Sequence, residues 1–143
     1  MGVQFIMQGD PVPKGRPRFR ICGGHVMTFT PPKTKDFEKS LAMAYAAENH
    51  IMFDKELPLD VYIEFGMPIP KGTSKKHAAM MAGGQEKHIK RPDIDNLVKS
   101  VLDALNGVAW EDDSQIISIS AHKHYAETPF VAIGIKVLTG GDA

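Results

Sequence analysis

Residues 93–116 read DIDNLVKSVLDALNGVAWEDDSQI, and no other stretch says more about the fold. Leu97, Val98, Val101, Leu102 and Leu105 recur at helical spacing, giving a wide apolar stripe over about Asn96 to Asn106; Asn106-Gly107 supplies the turn that ends a helix. A strand rich in Ile follows from Gln115. Asp93 and Asp95 therefore stand where the helix begins, and Asp112 and Asp113 where the next strand begins. Carboxylates in such places either cap free amides, each stabilising the helix by roughly 0.5 to 2 kcal/mol, or hold a cation. A second aspartate two residues from the first adds like-charge repulsion without a second cap to make. Spacing alone leaves both readings open.

Working outward, Val3 to Gln8 alternates as a strand with Val3, Phe5 and Met7 on one face, and Gly9-Asp10-Pro11 ends it. The segment PVPKGRPRF, with three prolines, is expected to be a stiffened surface loop. From about Thr34 to Asn49, Phe37, Leu41, Ala44 and Tyr45 predict a first helix, with Thr34 as N-cap and Asp36 and Glu38 in its first turn. Leu59 to Met67 alternates as a half-buried strand that Pro68 and Pro70 stop. Residues 71–90 show no sustained period and are expected to form a flexible basic loop. Gln115–Tyr125 and Phe130–Leu138, joined by four residues, are expected to pair as an antiparallel hairpin. The order strand, helix, strand, helix, strand, strand predicts one α+β (mixed α/β) domain over residues 1–143, a mixed sheet with helices packed against it.

The composition, 43% hydrophobic and 24% charged, is that of an ordinary globular domain and excludes neither enzyme nor binding module. A lone Cys22 can form no internal disulfide, and no apolar run is long enough to cross a bilayer, so a reducing cytosol is expected and membrane attachment is not. Net charge is zero, but its distribution is uneven: 12 of the 17 basic residues fall in 14–35 and 71–91. Lys14, Arg16, Arg18, Arg20, Lys75, Lys76, Lys87, Lys90 and Arg91 of these segments are either solvated, the ordinary state of such charges, or contacts to a polyanion such as the DNA backbone. Neither segment contains a base-reading module, so binding should be salt-dependent and tuned to shape. His122-Lys123-His124 sets two imidazoles on one strand face with no third zinc ligand beside them. Trp110, in an apolar run, is read as core or dimer contact in preference to a base-stacking platform.

An oxygen-rich cluster without histidine suits Mg²⁺ or Mn²⁺, which take a few carboxylates and complete their shell with water or phosphate oxygens. The ordered run Asp93-Ile94-Asp95-Asn96-Leu97, Lys99, Asp103-Ala104-Leu105, Trp110 and Asp112-Asp113-Ser114-Gln115 resembles the signature of the RusA family of Holliday junction resolvases, and the PxPKGRPR loop and element order resemble its phage and prophage branch. The resemblance implies a homodimeric, Mg²⁺-dependent endonuclease that nicks opposing strands of four-way or branched DNA in recombination and repair, in the bacterial cytosol, with no small-molecule cofactor. It places the essential acids on Asp93, Asp95 and Asp113 and the essential lysine on Lys99, with Asp112 as an auxiliary ligand. Asn96 either orients Asp95 or caps the helix. Lys99 also stands four residues from both Asp95 and Asp103, so an ordinary helix ion pair of at most ~0.5 kcal/mol is its alternative role. Two other functions share these features: a metal-dependent nuclease for other branched DNA, and a non-catalytic junction-binding protein.

The spacing carries a geometric expectation. The helix separates Asp95 from Gly107 by about 16 Å at ~1.5 Å per residue, and residues 107–112 at ~3.3 Å each can just span that. Val108-Ala109-Trp110 is therefore expected to run back antiparallel to the helix and return Asp112-Asp113 to its N-terminus, one acidic cluster per chain. The alternative is that Asp113 comes from the partner subunit.

Overall fold

In a computed structural model that describes residues 2–49 and 51–139, four strands form one sheet: β1 (Gly2–Gln8), β4 (Leu59–Pro68), β5 (Ile116–Ala126) and β6 (Phe130–Val137). The remaining elements are a separate hairpin, β2 (Arg18–Cys22) with β3 (His25–Phe29), and helices α1 (Pro32–Glu48), α2 (Lys75–Ala82) and α3 (Ile94–Leu105). The fold is α+β, as the element order predicts.

The strand order is β1-β6-β4-β5, with β4 and β5 parallel and the other pairs antiparallel. Alternation decides which face is covered. Val61, Ile63 and Phe65 of β4, Val131, Ile133 and Ile135 of β6 and Phe5 of β1 are buried on one side, in a single core with Leu41 and Tyr45 of α1 and Leu97, Val101 and Leu105 of α3. Burying a side chain of this size contributes roughly 1.5 to 3 kcal/mol.

The expected β5–β6 hairpin does not form, because β6 inserts between β1 and β4 and leaves β5 at the edge. Burial is the reason. β6 carries Val131, Ile133 and Ile135 and needs neighbours on both sides, whereas β5 leaves Ile117 and Ile119 exposed and tolerates an edge. The short link from Ala126 to Phe130 can step across β4 because that strand stops at Pro68, and because Gly66 leaves room beneath it. A Cβ on Gly66 would collide with the Phe130 ring and meet Ala126 Cβ at 3.0 Å. Gly66→Val should therefore lower the urea midpoint, with an unfolding free-energy loss of about 1 to 3 kcal/mol; an unchanged midpoint would show that the crossing is not close-packed.

Three other expectations are corrected. Residues 71–90 are not all loop: α2 is capped by Ser74, whose hydroxyl accepts from His77 N at 3.2 Å, and is held by buried Met81 and a His77–Glu86 contact of 2.6 Å. Lys, His, Ala and Met over eight positions are helix-compatible, and the surrounding glycines hid the short period. Thr34 is not an N-cap. With a proline in its first turn, α1 starts two residues earlier, so Thr34 lies inside the helix, and Asp36 and Glu38 lie beyond the first turn. The Thr34 hydroxyl instead donates to Pro13 O (3.3 Å) and accepts from Gly15 N (3.1 Å). The surface loop expected over PVPKGRPRF ends at Pro17, since Arg18 and Phe19 open the β2–β3 hairpin.

Candidate active site

The four aspartates separate into two places and three kinds of environment. Asp93 occupies the N-cap position of α3 with extended backbone (φ −69°, ψ 143°), yet its side chain makes no capping bond, and Asp95 lies in the first turn. Neither carboxylate has a hydrogen bond or ion pair among the described residues, and both are exposed. Asp112 does cap: its carboxylate accepts from Ser114 N at 3.0 Å while Gln115 Oε1 accepts from Asp112 N at 3.0 Å. That backbone bond from Ser114 is the main cause of a pKa below the ordinary carboxylate value. Asp113 accepts from the indole N–H of Trp110 at 2.6 Å.

Asp93 faces a cavity of about 490 Å³, lined also by Asp10, Lys14, Lys33, Arg91 and Asn96, where the C-terminal end of β4 meets the start of α3. The loop before it is tied to the helix by Lys14 N donating to Asn96 O at 2.8 Å and by the Ser100 hydroxyl donating to Val12 O at 2.7 Å. Lys123 of β5 fastens the approach to α3 by donating to Lys90 O (2.7 Å) and Pro92 O (2.9 Å). Asp10 and Lys123 were not legible as site residues, because only the sheet brings them to this helix. The same alternation puts His122 and His124 on the opposite, open face, where His124 lies 3.9 Å from Glu64.

Asp113 is at the other end of α3. Residues 107–110 do not run back along the helix. Val108 N and Ala109 N both donate to Leu105 O, and Gly107 N donates to Trp110 O, a tight turn that buries Ala109 and Trp110 against Phe53. Trp110 is thus core. β5 then travels antiparallel to α3, reaching the level of Pro92 only at Lys123, so the 12-residue helix puts about 18 Å between the two aspartate pairs. Among the described residues, no three carboxylate, imidazole or thiol groups converge on a cation position. The cluster expected within one chain is corrected accordingly: burial of Trp110 sets the path of the return, and it does not lead to Asp93. The donor chemistry at α3 still fits a hard cation, because Mg²⁺ is commonly bound by one or two carboxylates and keeps water or phosphate as its other ligands.

Lys99 Nζ contacts Asp103 at 2.7 Å, the helix ion pair that its spacing allows, and remains 60% exposed. Asp103 also binds Lys14 at 3.0 Å, which binds Glu38 at 2.6 Å, linking α1, α3 and the loop. Burial pulls the Asp103 carboxyl upward, but hydrogen bonds and charge from Lys99 and Lys14 outweigh it and hold the pKa below its ordinary 3.8. A depressed folded pKa contributes stability that is fully present above the unfolded value and is lost as pH falls below it through the folded one. Asp103→Asn should therefore flatten the acid limb of the stability curve below about pH 4; an unaltered limb would show that this linkage is not set here. Lys14 is engaged in this network, whereas Arg16, Arg18, Arg20, Lys33, Lys75, Lys76, Lys87, Lys90 and Arg91 have no carboxylate partner among the described residues.

Two uncommitted carboxylates at a helix start, beside a cavity lined by Lys33 and Arg91, suit a hard cation and a polyanion. The chain matches the family model of the endodeoxyribonuclease RusA over residues 8–136 and belongs to that family. It is also similar to "Uncharacterized protein YqaN" of Bacillus subtilis (strain 168), 33% identical over 135 residues that cover 94% of this chain and 95% of that protein. DNA is accordingly the substrate class. No helix among the described residues is long and apolar enough to cross a membrane.

Proposed function

We propose that this protein is a Mg²⁺-dependent, structure-specific endonuclease that resolves four-way DNA junctions by paired nicks, acting as a homodimer in which each site combines Asp93 and Asp95 of one chain with Asp113 of the other. One observation carries the reading: Asp93 stands at an N-cap and does not cap. A carboxylate that forgoes this stabilisation, beside a second free carboxylate and a basic cavity, is better suited to a ligand than to the backbone. A bound Mg²⁺ supplies neutralisation of charge on the phosphodiester and a lowered pKa for the attacking water.

The remaining roles belong to side chains. Lys33 and Arg91, lining the cavity, hold the phosphate, and exposed Lys99 swings from Asp103 to stabilise charge on the phosphoryl oxygens. Asp113, aimed by the Trp110 indole, is carried to the second chain's helix by a two-fold, and such isologous dimers are the commonest assembly. The test is a synthetic four-way junction with and without Mg²⁺. Paired nicks only with Mg²⁺ support the proposal; equal cleavage of flaps or three-way forks would assign a broader branched-DNA nuclease, and tight binding without nicking a non-catalytic binder. Trp110→Phe should keep junction affinity while lowering the nicking rate, by removing the bond that orients Asp113; a wild-type rate would free Asp113 from that role.

A further inference from the structure

The β2–β3 hairpin rests on nothing. Every residue from Arg16 to Thr28 is exposed, and an isolated two-stranded hairpin is marginal in water. Its register, Arg18 opposite Phe29, Phe19 opposite Thr28, Arg20 opposite Met27 and Ile21 opposite Val26, sorts the side chains by face. One face carries Phe19, Ile21 and Val26, which are 71%, 77% and 67% exposed. The other carries Arg18 and Arg20, with the Arg20 guanidinium 5.0 Å from the centre of the Phe29 ring.

The root of this arm is held at the candidate active site. Lys14 N is bonded to Asn96 O on one stem, and Gly15 N to the Thr34 hydroxyl across to the other, while Lys14 and Lys33 line the cavity that Asp93 faces. Each five-residue strand extends about 16 Å from there. The segment 14–35 has six basic residues and no acid, so a nucleic acid suits it and a second identical arm is repelled. A linear duplex offers phosphates but no apolar surface; a branch point exposes base faces as well.

We propose that the hairpin is a branch-point wedge, in which the Phe19, Ile21 and Val26 face stacks on bases exposed where duplex arms diverge and Arg18 and Arg20 on the reverse face hold the flanking phosphates. This rests on the nuclease reading above and names what makes that site structure-specific. Base–aromatic stacking tolerates any sequence, because every base has a π face, so the wedge selects shape and leaves sequence unread.

The test is the triple variant Phe19→Thr, Ile21→Thr, Val26→Thr, which keeps residues suited to strands and touches no core contact. In EDTA, its affinity for a four-way junction should fall by about tenfold or more relative to a linear duplex of the same sequence. The fluorescence rise of a 2-aminopurine placed at the branch, seen with the wild type, should disappear. A junction-to-duplex ratio and a fluorescence change equal to those of the wild type would overturn the wedge. So would a halving of the sedimentation mass, which would give the apolar face to a second copy of the chain. Should the wild type neither prefer nor nick branched DNA, the nuclease reading falls first; should it nick junctions while the variant keeps full selectivity, the wedge alone falls.

Discussion

Asp93→Asn, Asp95→Asn and Asp113→Asn should each abolish junction nicking in Mg²⁺ while the fold and junction binding survive. The amide preserves shape and removes the charge that a hard cation needs. The expected loss is several kcal/mol of transition-state stabilisation, on the order of 10³-fold or more in rate at ~1.36 kcal/mol per decade. Affinity should hold or rise, since a negative charge facing phosphate has gone. Asp112→Asn is the contrast: its carboxylate is occupied by Ser114 N, so it should cost stability before it costs rate. Gel assays of nicked product, with binding measured in EDTA, separate these cases. Wild-type nicking by any of the three would remove that residue from the essential set.

Mixing Asp93→Asn protein with Asp113→Asn protein under subunit exchange should restore nicking of one strand. If each site takes Asp113 from the opposite chain, a heterodimer holds one site with both lesions and one with none. A site built within one chain would lose a ligand in every copy and stay silent. The expectation follows from the length of α3 lying between Asp93 and Asp113. Activity rising from zero makes this the most sensitive readout of assembly, and persistent silence after verified exchange would sink the shared site.

The residues most legible in the sequence were those whose meaning is local. α3 was visible because Leu97, Val101 and Leu105 repeat within one helix, and β4 because Val61, Ile63 and Phe65 alternate; each pattern reports burial of a single element. The aspartate and lysine signature placed the chain in its family for the same reason, since its spacing follows one helix and the turn after it. Less local features were hidden. α2 is too short to show a period, and the β2–β3 hairpin buries neither face, so neither leaves a strong pattern. Lys123 and Asp10 have no local signal of function at all.

What the sequence determined by itself was therefore the α+β class, the main helix and strand boundaries and the family of DNA-directed nucleases. Only the tertiary structure decided that β6 inserts between β1 and β4, that Asp93 leaves its cap unmade while Asp112 completes its own, and that Asp113 lies a helix length from Asp93. The physical reason is the range of the forces involved. Helical periodicity and capping are settled within a few residues. The path after α3 is settled by burying Trp110 and Ala109 against Phe53, and strand order by which runs most need two covered neighbours, contacts that no spacing along the chain records.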